Sequence, residues 1–266
     1  MRVPFEFAQT SRHGEGSELA RRAALDGWPL VVAVGGDGTV NEVVNGLLEA
    51  GTPVTLGILN AGRGNDCRRN FNLPSRAPLA LERLLAGRDV PIDVGLAEWP
   101  AGRRRHFVMS LGVGFDAAVA ARAERSRGSG RAPYVRAILG TLRAYRPLPA
   151  TIRVDERVLS SGPITAAVVA NGPYYGQGMK IAPAADPYDG ILDLVVLGDL
   201  GRLELLRWLP TVYRGRHLAN PKVSTARGKT VSIDAPAPLP VHVDGEPCGE
   251  TPVRVSILPA ALRLRV

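Results

Sequence analysis

The chain is poor in cysteine, histidine and aromatic residues, and each scarcity excludes a class of protein. Two cysteines, Cys67 and Cys248, cannot form a disulfide framework, and the four histidines lack metal-ligand spacing. Aromatic residues make up 5% of the 266 residues. None of them is interleaved with the arginines at 103–105, whereas binding of single-stranded nucleic acid uses aromatic rings beside positive charges. We therefore expect no nucleic-acid partner.

Long hydrophobic runs are also missing. No uncharged apolar stretch approaches the ~18 residues of a membrane-spanning helix. Arg2, Pro4 and Glu6 follow Met1, where an export signal would have its apolar core. The chain is 45% hydrophobic and 22% charged, as in ordinary globular proteins. We expect a cytoplasmic protein of about two domains.

Lysine is nearly absent, so the net charge of +8 comes from arginine. The lysines are Lys180, Lys222 and Lys229. A positive surplus favours an anionic partner such as a nucleotide phosphate or an anionic membrane, although an arginine-rich composition raises the pI without any partner. We predict that the arginines at 103–105 form a hairpin tip, each worth at most about 1 kcal/mol at an anionic bilayer.

The order of helical and strand patterns predicts an α/β region followed by an antiparallel β-sandwich. In the first region we predict helices at 17–25, 40–49 and 78–85 and strands at 30–34, 54–59 and 88–94. After residue 100 we predict strands at 106–111, 151–159, 163–170, 191–197, 229–234, 239–243 and 252–258. Helices are expected at 117–127, 134–145 and 200–214, with a flexible segment, Arg127–Arg131, between the first two.

A glycine-rich loop lies between the first predicted strand and the next helix. Gly35, Gly36 and Gly38 allow the backbone to approach a ligand and aim free N–H groups at phosphate. Asp37 would repel polyphosphate unless a cation lies between them, so the loop implies Mg²⁺. The alternative is a tight turn with a solvated Asp37.

A second loop, Asn60–Asp66, follows the next strand in the same way. Ligands of open α/β sheets bind at the carboxyl ends of the strands, so Asp37 and Asp66 could face one nucleotide from two sides. Asp93 ends a further strand at the domain junction and joins this set as a candidate. Its other interpretation is a turn or cap residue.

Two turns near the end of the chain carry carboxylates. Val241–Pro247 alternates like a strand and turns at Asp-Gly, and Glu246 at such a rigid turn can serve as a general base. Asp186 and Asp189, with a backbone carbonyl just beyond them, could hold a hard cation by oxygen ligands, or could simply form a turn.

Together these motifs resemble the diacylglycerol kinase catalytic family, specifically the small bacterial lipid kinases related to diacylglycerol and sphingosine kinases. The first motif alone is shared with NAD kinases, but the ordered set is more specific. The set consists of Gly35–Thr39 with Asn41 and Glu42, Gly62–Asp66, Gly112–Asp116, Ala182–Gly190 and Asp244–Glu246. The resemblance implies an α/β nucleotide-binding domain of the NAD kinase and diacylglycerol kinase type, residues 1–95, and a mainly antiparallel β-sandwich domain for the lipid, residues 96–257. Residues 258–266 are expected to return to the first domain.

The resemblance also implies an ATP-dependent kinase that uses Mg²⁺ and phosphorylates a lipid hydroxyl such as that of diacylglycerol. Asp37, Asp66 and Asp93 would form an acidic network around the phosphates, and Glu246 would be the general base. The implied nucleotide-binding residues are Gly35, Gly36, Asp37, Gly38, Thr39, Asn41, Gly62, Arg63 and Asn65. Asp186, Asp189 and the carbonyl of Ile191 would form a structural metal site.

The sequence departs from the family pattern in two places. Asn60 stands for a proline, and Arg63 stands for a threonine of the phosphate loop, where it either pairs with phosphate or fills the nucleotide's space. The family also opens with a strand and an Asn-Pro loop, whereas here Pro4–Ala8 would be only the second strand. We expect that DNA upstream of Met1 encodes the missing strand.

Two other functions stay open at this point. One is a soluble NAD kinase-like enzyme, against which the Gly62–Asp66 loop and the Asp244–Glu246 turn argue. The other is a degenerate, non-catalytic nucleotide- or lipid-binding protein, favoured by Arg63 and the short N-terminus. For the kinase we expect a peripheral position at the inner membrane surface, at an anionic bilayer. The sequence names neither the lipid nor the oligomeric state and leaves a homodimer open.

Overall fold

The computed structural model describes residues 4–62, 64–125 and 132–266. Arg63 and Arg127–Arg131, for which the sequence predicts a phosphate contact and a flexible segment, lie outside these residues. The elements within them are, in chain order, α1 (Glu15–Leu25), β1 (Leu30–Gly35), α2 (Asp37–Ala50), β2 (Thr55–Asn60), α3 (Asp66–Asn70), α4 (Ala77–Ala86), β3 (Asp89–Glu98), β4 (Arg104–Phe107), β5 (Ser110–Gly114), α5 (Phe115–Glu124), α6 (Ala132–Ala144), β6 (Leu148–Val154), β7 (Arg157–Ile164), β8 (Ala166–Ala170), β9 (Leu192–Leu197), α7 (Arg202–Val212), β10 (Val223–Gly228), β11 (Thr230–Asp234), β12 (Pro240–Val243), β13 (Glu246–Glu250) and β14 (Val253–Arg265).

The first region is an α/β unit, as the sequence predicts. β1 and β2 are parallel, and α1 and α2 pack beside them. The apolar face of α2, with Val40, Val44 and Leu47, is buried because the 3.6-residue period keeps these side chains on the side of the sheet. The helix ends at Gly51, whose φ of 64° is the left-handed conformation of a helix C-terminus.

The described strands form two sheets. The first has eight strands and follows the order β1-β2-β14-β11-β6-β7, with β3 paired to β14 and β4 paired to β3. The second has six strands in the order β10-β9-β8-β5-β12-β13, and all of its pairs are antiparallel. A core of buried side chains from both sheets, including Phe107, Leu111 and Ile233, makes the second region the predicted antiparallel sandwich.

The long strand β14 belongs to both regions. Its first half pairs with β11 of the sandwich, and its last residues, Arg263 and Leu264, pair in parallel with β2. β3 pairs antiparallel with β14 along nearly the whole length of β14. The α/β unit and one face of the sandwich therefore share a continuous sheet. This sheet fixes the strand ends of the first region relative to the turns of the second.

Three predicted strands are wrong, two of them because the chain changes sheets within the predicted strand. The apolar run 163–170 divides at Thr165, whose amide donates to the carbonyls of Leu197 (2.7 Å) and Gly198 (3.1 Å), so that β7 and β8 lie in different sheets. The run 106–111 likewise divides into β4 and β5. The predicted strand 151–159 is a hairpin, because Asp155 and Glu156 both have positive φ and turn the chain between β6 and β7.

The prediction that Pro4–Ala8 forms a strand is also wrong. These residues adopt no regular secondary structure and are exposed, with Phe5 and Phe7 retaining 82% and 75% of their accessible surface. A β-strand is stabilised by hydrogen bonds to a neighbouring strand. The pairs described for β1 join it to β2 alone, so residues 4–8 have no strand partner in the described part of the chain.

Candidate active site

The two glycine-rich loops meet at one edge of the first sheet. β1 and β2 are in register so that Gly35 lies opposite Asn60, and the Ala61 amide donates to the Gly35 carbonyl at 2.8 Å. A Cβ built on Gly36 would lie 3.3 Å from the Cα of Gly62. The loops can approach this closely because neither residue carries a side chain. The predicted convergence of the two loops is confirmed.

Asp37 links these loops through its carboxylate. It is the first residue of α2, and its two oxygens accept the amides of Asp66 (3.1 Å) and Cys67 (3.0 Å) at the start of α3. Two predicted site carboxylates, Asp37 and Asp66, are therefore neighbours at the ends of successive parallel strands.

Asp66 is a buried carboxylate with a raised pKa. Its side chain is buried and is held by Arg69 (2.7 Å) and by the amide of Gln177 (2.7 Å), which comes from the second region. Burial, followed by the negative charge of Asp37, raises the pKa of Asp66 to about 6. A cation between the two carboxylates would relieve both effects, so the donor set fits the predicted Mg²⁺.

The second loop also contains buried acceptors without partners. The side-chain oxygens Oδ1 of Asn60 and Asn65 are buried and accept no hydrogen bond from the described residues. Because buried polar atoms are nearly always paired, these oxygens point to donors or a cation that arrive with a ligand. Asn60 stands where the family pattern has proline, so one of the two acceptors lies at a position where that pattern has no side-chain acceptor.

The Asp244–Gly245 hairpin is fixed against the first region. Both residues have positive φ, 49° and 88°, as a two-residue hairpin turn between β12 and β13 requires. Burial raises the pKa of Asp244, and its carboxylate accepts four hydrogen bonds. The donors are the Asn41 Nδ2 (2.9 Å) and the amides of Val108, Met109 and Ser110 (3.0 Å each).

This hairpin brings Glu246 to the N-terminal end of α2. A Cβ built on Gly38 would lie 2.6 Å from Oε1 of Glu246, so the carboxylate occupies space that glycine leaves open. Burial raises the pKa of Glu246, and Arg105, whose Nη2 lies 3.0 Å from Oε2, acts in the opposite direction. Glu246, the predicted base, therefore lies next to Gly38, the residue after Asp37.

Three residues near Glu246 were missed by the sequence prediction of the site. Besides Arg105, they are Glu42, whose oxygens accept the amides of Gly14 and Gly16 (2.8 Å each), and His13, whose Nδ1 lies 3.1 Å from Glu42. Ligand atoms of His13, Glu42 and Glu246 all lie within 4.8 Å of one another. Residues 13 and 246 are far apart in the sequence, so no local spacing indicates this cluster.

Asn41 is engaged inside the protein, and Thr39 lies against the first glycine-rich loop. Asn41 is fully buried; its amide donates to Asp244 and its Oδ1 accepts Nε of Arg105 at 2.9 Å. The hydroxyl of Thr39 lies under Gly35, where a built Cβ would be 2.5 Å away. The nucleotide contact predicted for Asn41 has no exposed side-chain atom to make it.

Asp93 forms hydrogen bonds with the backbone of the second region and of β14. Its carboxylate accepts the amides of Gly190 (2.6 Å) and Ala260 (2.8 Å), and its own amide donates to the carbonyl of Pro187 (2.9 Å). These contacts join β3 to the 186–190 turn and to β14. The role of Asp93 in an acidic network around phosphate stays a prediction.

The 186–191 turn already holds a cationic group. Asp186 accepts the amide of Tyr188 (3.1 Å), Asp189 accepts that of Ile191 (3.0 Å), and the Arg227 guanidinium pairs with Asp189. Arg227 also contacts Asp193 at 3.2 Å. The turn has the charge that a metal ion would need, and Arg227 would have to leave Asp189 for the ion to bind both carboxylates.

The fold and the clustered carboxylates are those of a two-region phosphotransferase, and comparisons with known proteins identify the family. Residues 1–97 match the model of the diacylglycerol kinase catalytic domain, and residues 109–266 match that of the YegS C-terminal NAD kinase beta sandwich-like domain. The chain belongs to the diacylglycerol kinase family of lipid kinases, so the resemblance read from the motifs is confirmed.

Named relatives agree with this family. A diacylglycerol kinase from Mycobacterium tuberculosis is 36% identical over 259 residues, which cover 97% of this chain and 81% of the relative. A protein from Chromohalobacter salexigens named "Probable lipid kinase YegS-like" is 30% identical over 257 residues, with coverage of 94% and 80%. A crystal structure of a diacylglycerol kinase from Bacillus anthracis has the same fold, with a TM-score of 0.73, 21% identity and coverage of 96% and 82%.

The described residues contain no helix that is both long enough and apolar enough to cross a membrane.

Proposed function

We propose that this protein is an ATP-dependent lipid kinase that transfers the γ-phosphate to the single hydroxyl of a lipid such as diacylglycerol. The observation that carries the proposal is the position of Glu246 beside Gly38, at the same helix end as Asp37. This would bring together a helix N-terminus for phosphate, a carboxylate pair for a metal ion and a half-buried base.

The first region would bind Mg²⁺-ATP. The backbone of Gly35–Gly38 and the N-terminus of α2 supply N–H groups for phosphate, and Asp37 and Asp66 would hold the ion. Bound there, Mg²⁺ would neutralise charge on the transferring phosphoryl group. We further propose that residues 1–95, with the chain end that pairs with β2, form the nucleotide-binding domain and that residues 96–257 form the lipid domain.

Glu246 would act as the general base. Its raised pKa makes it a better proton acceptor than an ordinary carboxylate, and the positive charge of Arg105 opposes part of that rise. Glu246 takes the proton of the lipid hydroxyl as that oxygen forms a bond to the γ-phosphorus. The bond from the γ-phosphorus to the β,γ-bridging oxygen breaks, and ADP leaves.

An apolar cavity in the second region supports a lipid acceptor. Side chains of α5, α6 and α7 line it, among them Val119, Ile138 and Leu209, and Asp116 and Tyr175 add polar groups to its lining. The cavity has a volume of about 50 Å³, which is smaller than an acyl chain. We propose that the helices around it move apart to admit the chain, with the hydroxyl end directed towards the Asp244–Glu246 hairpin.

The helices over this cavity expose both apolar side chains and arginines. Leu203 retains 83% of its accessible surface, and three further apolar side chains on α6 and α7 are exposed: Val135, Leu139 and Leu206. Arg136, Arg143, Arg202 and Arg207 are exposed on the same helices. Apolar side chains among positive charges fit an anionic bilayer. Leu203→Glu should therefore weaken binding to vesicles that contain phosphatidylglycerol and leave ATP binding unchanged.

The direct test is phosphate transfer from labelled ATP into a mixed lipid extract, with the product identified by mass. Turnover that requires lipid supports the proposal. Turnover that requires NAD instead would favour an NAD kinase-like enzyme, and nucleotide binding without turnover would favour a non-catalytic protein.

A further inference from the structure

A buried histidine lies behind the hairpin that carries Glu246. His242 is 2% exposed, and its two ring nitrogens face different partners. Nδ1 accepts the amide of Gly245 at 3.2 Å, and Nε2 lies 3.2 Å from Oδ2 of Asp116. Because Nδ1 is the acceptor, these bonds assign the proton to Nε2, which donates to Asp116.

The surroundings of His242 restrict its ring to this position. Gly112 lies opposite His242 in the pairing of β5 with β12, and a Cβ there would collide with both His242 and Asp116. The ring of Tyr175 stacks on the imidazole, with centroids 6.2 Å apart and an angle of 11° between the planes. Asp116 is fixed in turn, because its Oδ1 accepts the amide of Ala117 at 2.9 Å.

His242 therefore connects the apolar cavity to the turn that holds the base. Asp116 and Tyr175 both line the cavity and both contact the imidazole. On the other side, the hydrogen bond from Gly245 acts on the residue immediately before Glu246. Asp244 holds the same turn through Asn41 of the first region and through the amides at 108–110, so two separate hydrogen-bonded sets fix the turn.

We propose that His242 is a positioning residue that holds Glu246 in its catalytic orientation through the Gly245 amide, with Asp116 fixing the imidazole. The proposal rests on the role of Glu246 in the proposed function. An error of about 1 Å in the position of a catalytic group can lower a rate by about 10²-fold. Loss of this hydrogen bond should therefore lower kcat and leave KM for ATP nearly unchanged.

Two substitutions separate the two hydrogen bonds of His242. In His242→Asn the side-chain oxygen can take the place of Nδ1 and accept the Gly245 amide, but the side chain is too short to reach Asp116. In His242→Gln the terminal NH₂ group can take the place of Nε2 and donate to Asp116, but its carbonyl oxygen then does not occupy the position from which Nδ1 accepts the Gly245 amide. We expect His242→Gln to lower kcat by roughly 10- to 100-fold with KM for ATP unchanged, and His242→Asn to stay within about threefold of the wild type.

A stability control and a readout independent of activity complete the test. Ile152→Ala removes a fully buried side chain of β6, in the other sheet, and should lower Tm without changing kcat. Hydrogen exchange of the peptide that contains Gly245 should be faster in His242→Gln than in His242→Asn. Equal kcat values in the two His242 variants, or equal exchange at Gly245, would overturn the proposal. A wild-type protein without lipid kinase activity would overturn the proposed function, and the exchange comparison would still decide whether His242 holds the turn.

Discussion

The guanidinium of Arg105 lies 3.0 Å from the carboxylate of Glu246, and its Nε donates to Asn41 at 2.9 Å. This places a cation from β4 between the α2 helix and the β12–β13 hairpin. The ion pair opposes the effect of burial on Glu246, because a nearby positive charge favours the ionised carboxylate.

Removal of Arg105 should shift the acid limb of the pH–rate profile. Without the guanidinium, less positive charge opposes the effect of burial on Glu246, so its pKa rises further and the ionised base is lost at a higher pH than in the wild type. Arg105→Met should move the acid limb of kcat upwards, whereas Arg105→Lys keeps the charge and should move it less. An unchanged acid limb in Arg105→Met would separate Arg105 from the base.

Glu246→Gln and Asp37→Asn should fail in different ways. Glu246→Gln removes the proton acceptor and should lower kcat by roughly 10² to 10⁴ while Mg²⁺-ATP binding stays near normal. Asp37→Asn should weaken Mg²⁺-ATP binding, measured by calorimetry. Full activity in Glu246→Gln would exclude this residue as the base.

Asp66→Asn should stabilise the free protein at neutral and alkaline pH. The pKa of Asp66 is about 6 in the folded chain against an ordinary 3.8, so folding disfavours the charged form by about 3 kcal/mol above pH 6. As the pH falls from 6 to 3.8 the folded chain takes up the proton first, and this penalty disappears. Tm of the variant should exceed that of the wild type at pH 8, and the difference should vanish near pH 4.

Asp89→Asn should change stability in the opposite direction when Tm is measured over the same pH range. The hydrogen bond from Arg265 lowers the pKa of Asp89, so its charged form is favoured by folding. The variant should be less stable than the wild type at neutral pH, and the difference should fade as the pH falls through the folded pKa. Equal pH dependence in the Asp66 and Asp89 variants would contradict the assignment of Asp66.

The sequence predicted the parts of the site that depend on local patterns. The β1 and β2 runs and their glycines predict two loops at one sheet edge, and Asp244–Gly245 predicts a hairpin, because turn geometry is specified by adjacent residues. The change of sheet at Thr165 was not predictable, since an apolar run looks the same whether or not the strand crosses to another sheet. The contacts of Arg105 with Glu246 and of His242 with Asp116 join residues more than 100 positions apart, and no period in the sequence encodes them.

We expect that Asp93 stabilises the fold and does not take part in binding Mg²⁺-ATP. Its two hydrogen bonds to the amides of Gly190 and Ala260 are charge-assisted, and bonds of this kind contribute about 1.5 to 3 kcal/mol each. Asp93→Ala should therefore lower the free energy of unfolding by several kcal/mol, measured by urea denaturation. A normal Kd for Mg²⁺-ATP in the folded variant would support the structural role, whereas weakened binding at retained stability would support the predicted acidic network.

Competition between Arg227 and a metal ion should reveal whether the 186–191 turn is a metal site. Asp186, Asp189 and the Ile191 carbonyl are the predicted ligands, and Arg227 now pairs with Asp189. Mg²⁺ added without nucleotide should raise Tm, because a ligand that binds the folded state alone stabilises it, and Arg227→Met should increase the effect by removing the competing cation. These titrations are made in an Asp37→Asn background, so that the first site does not contribute. Asp189→Asn should abolish the increase. If Mg²⁺ changes the Tm neither of the Asp37→Asn protein nor of the Asp37→Asn/Arg227→Met double variant, the guanidinium is the only cation that this turn holds.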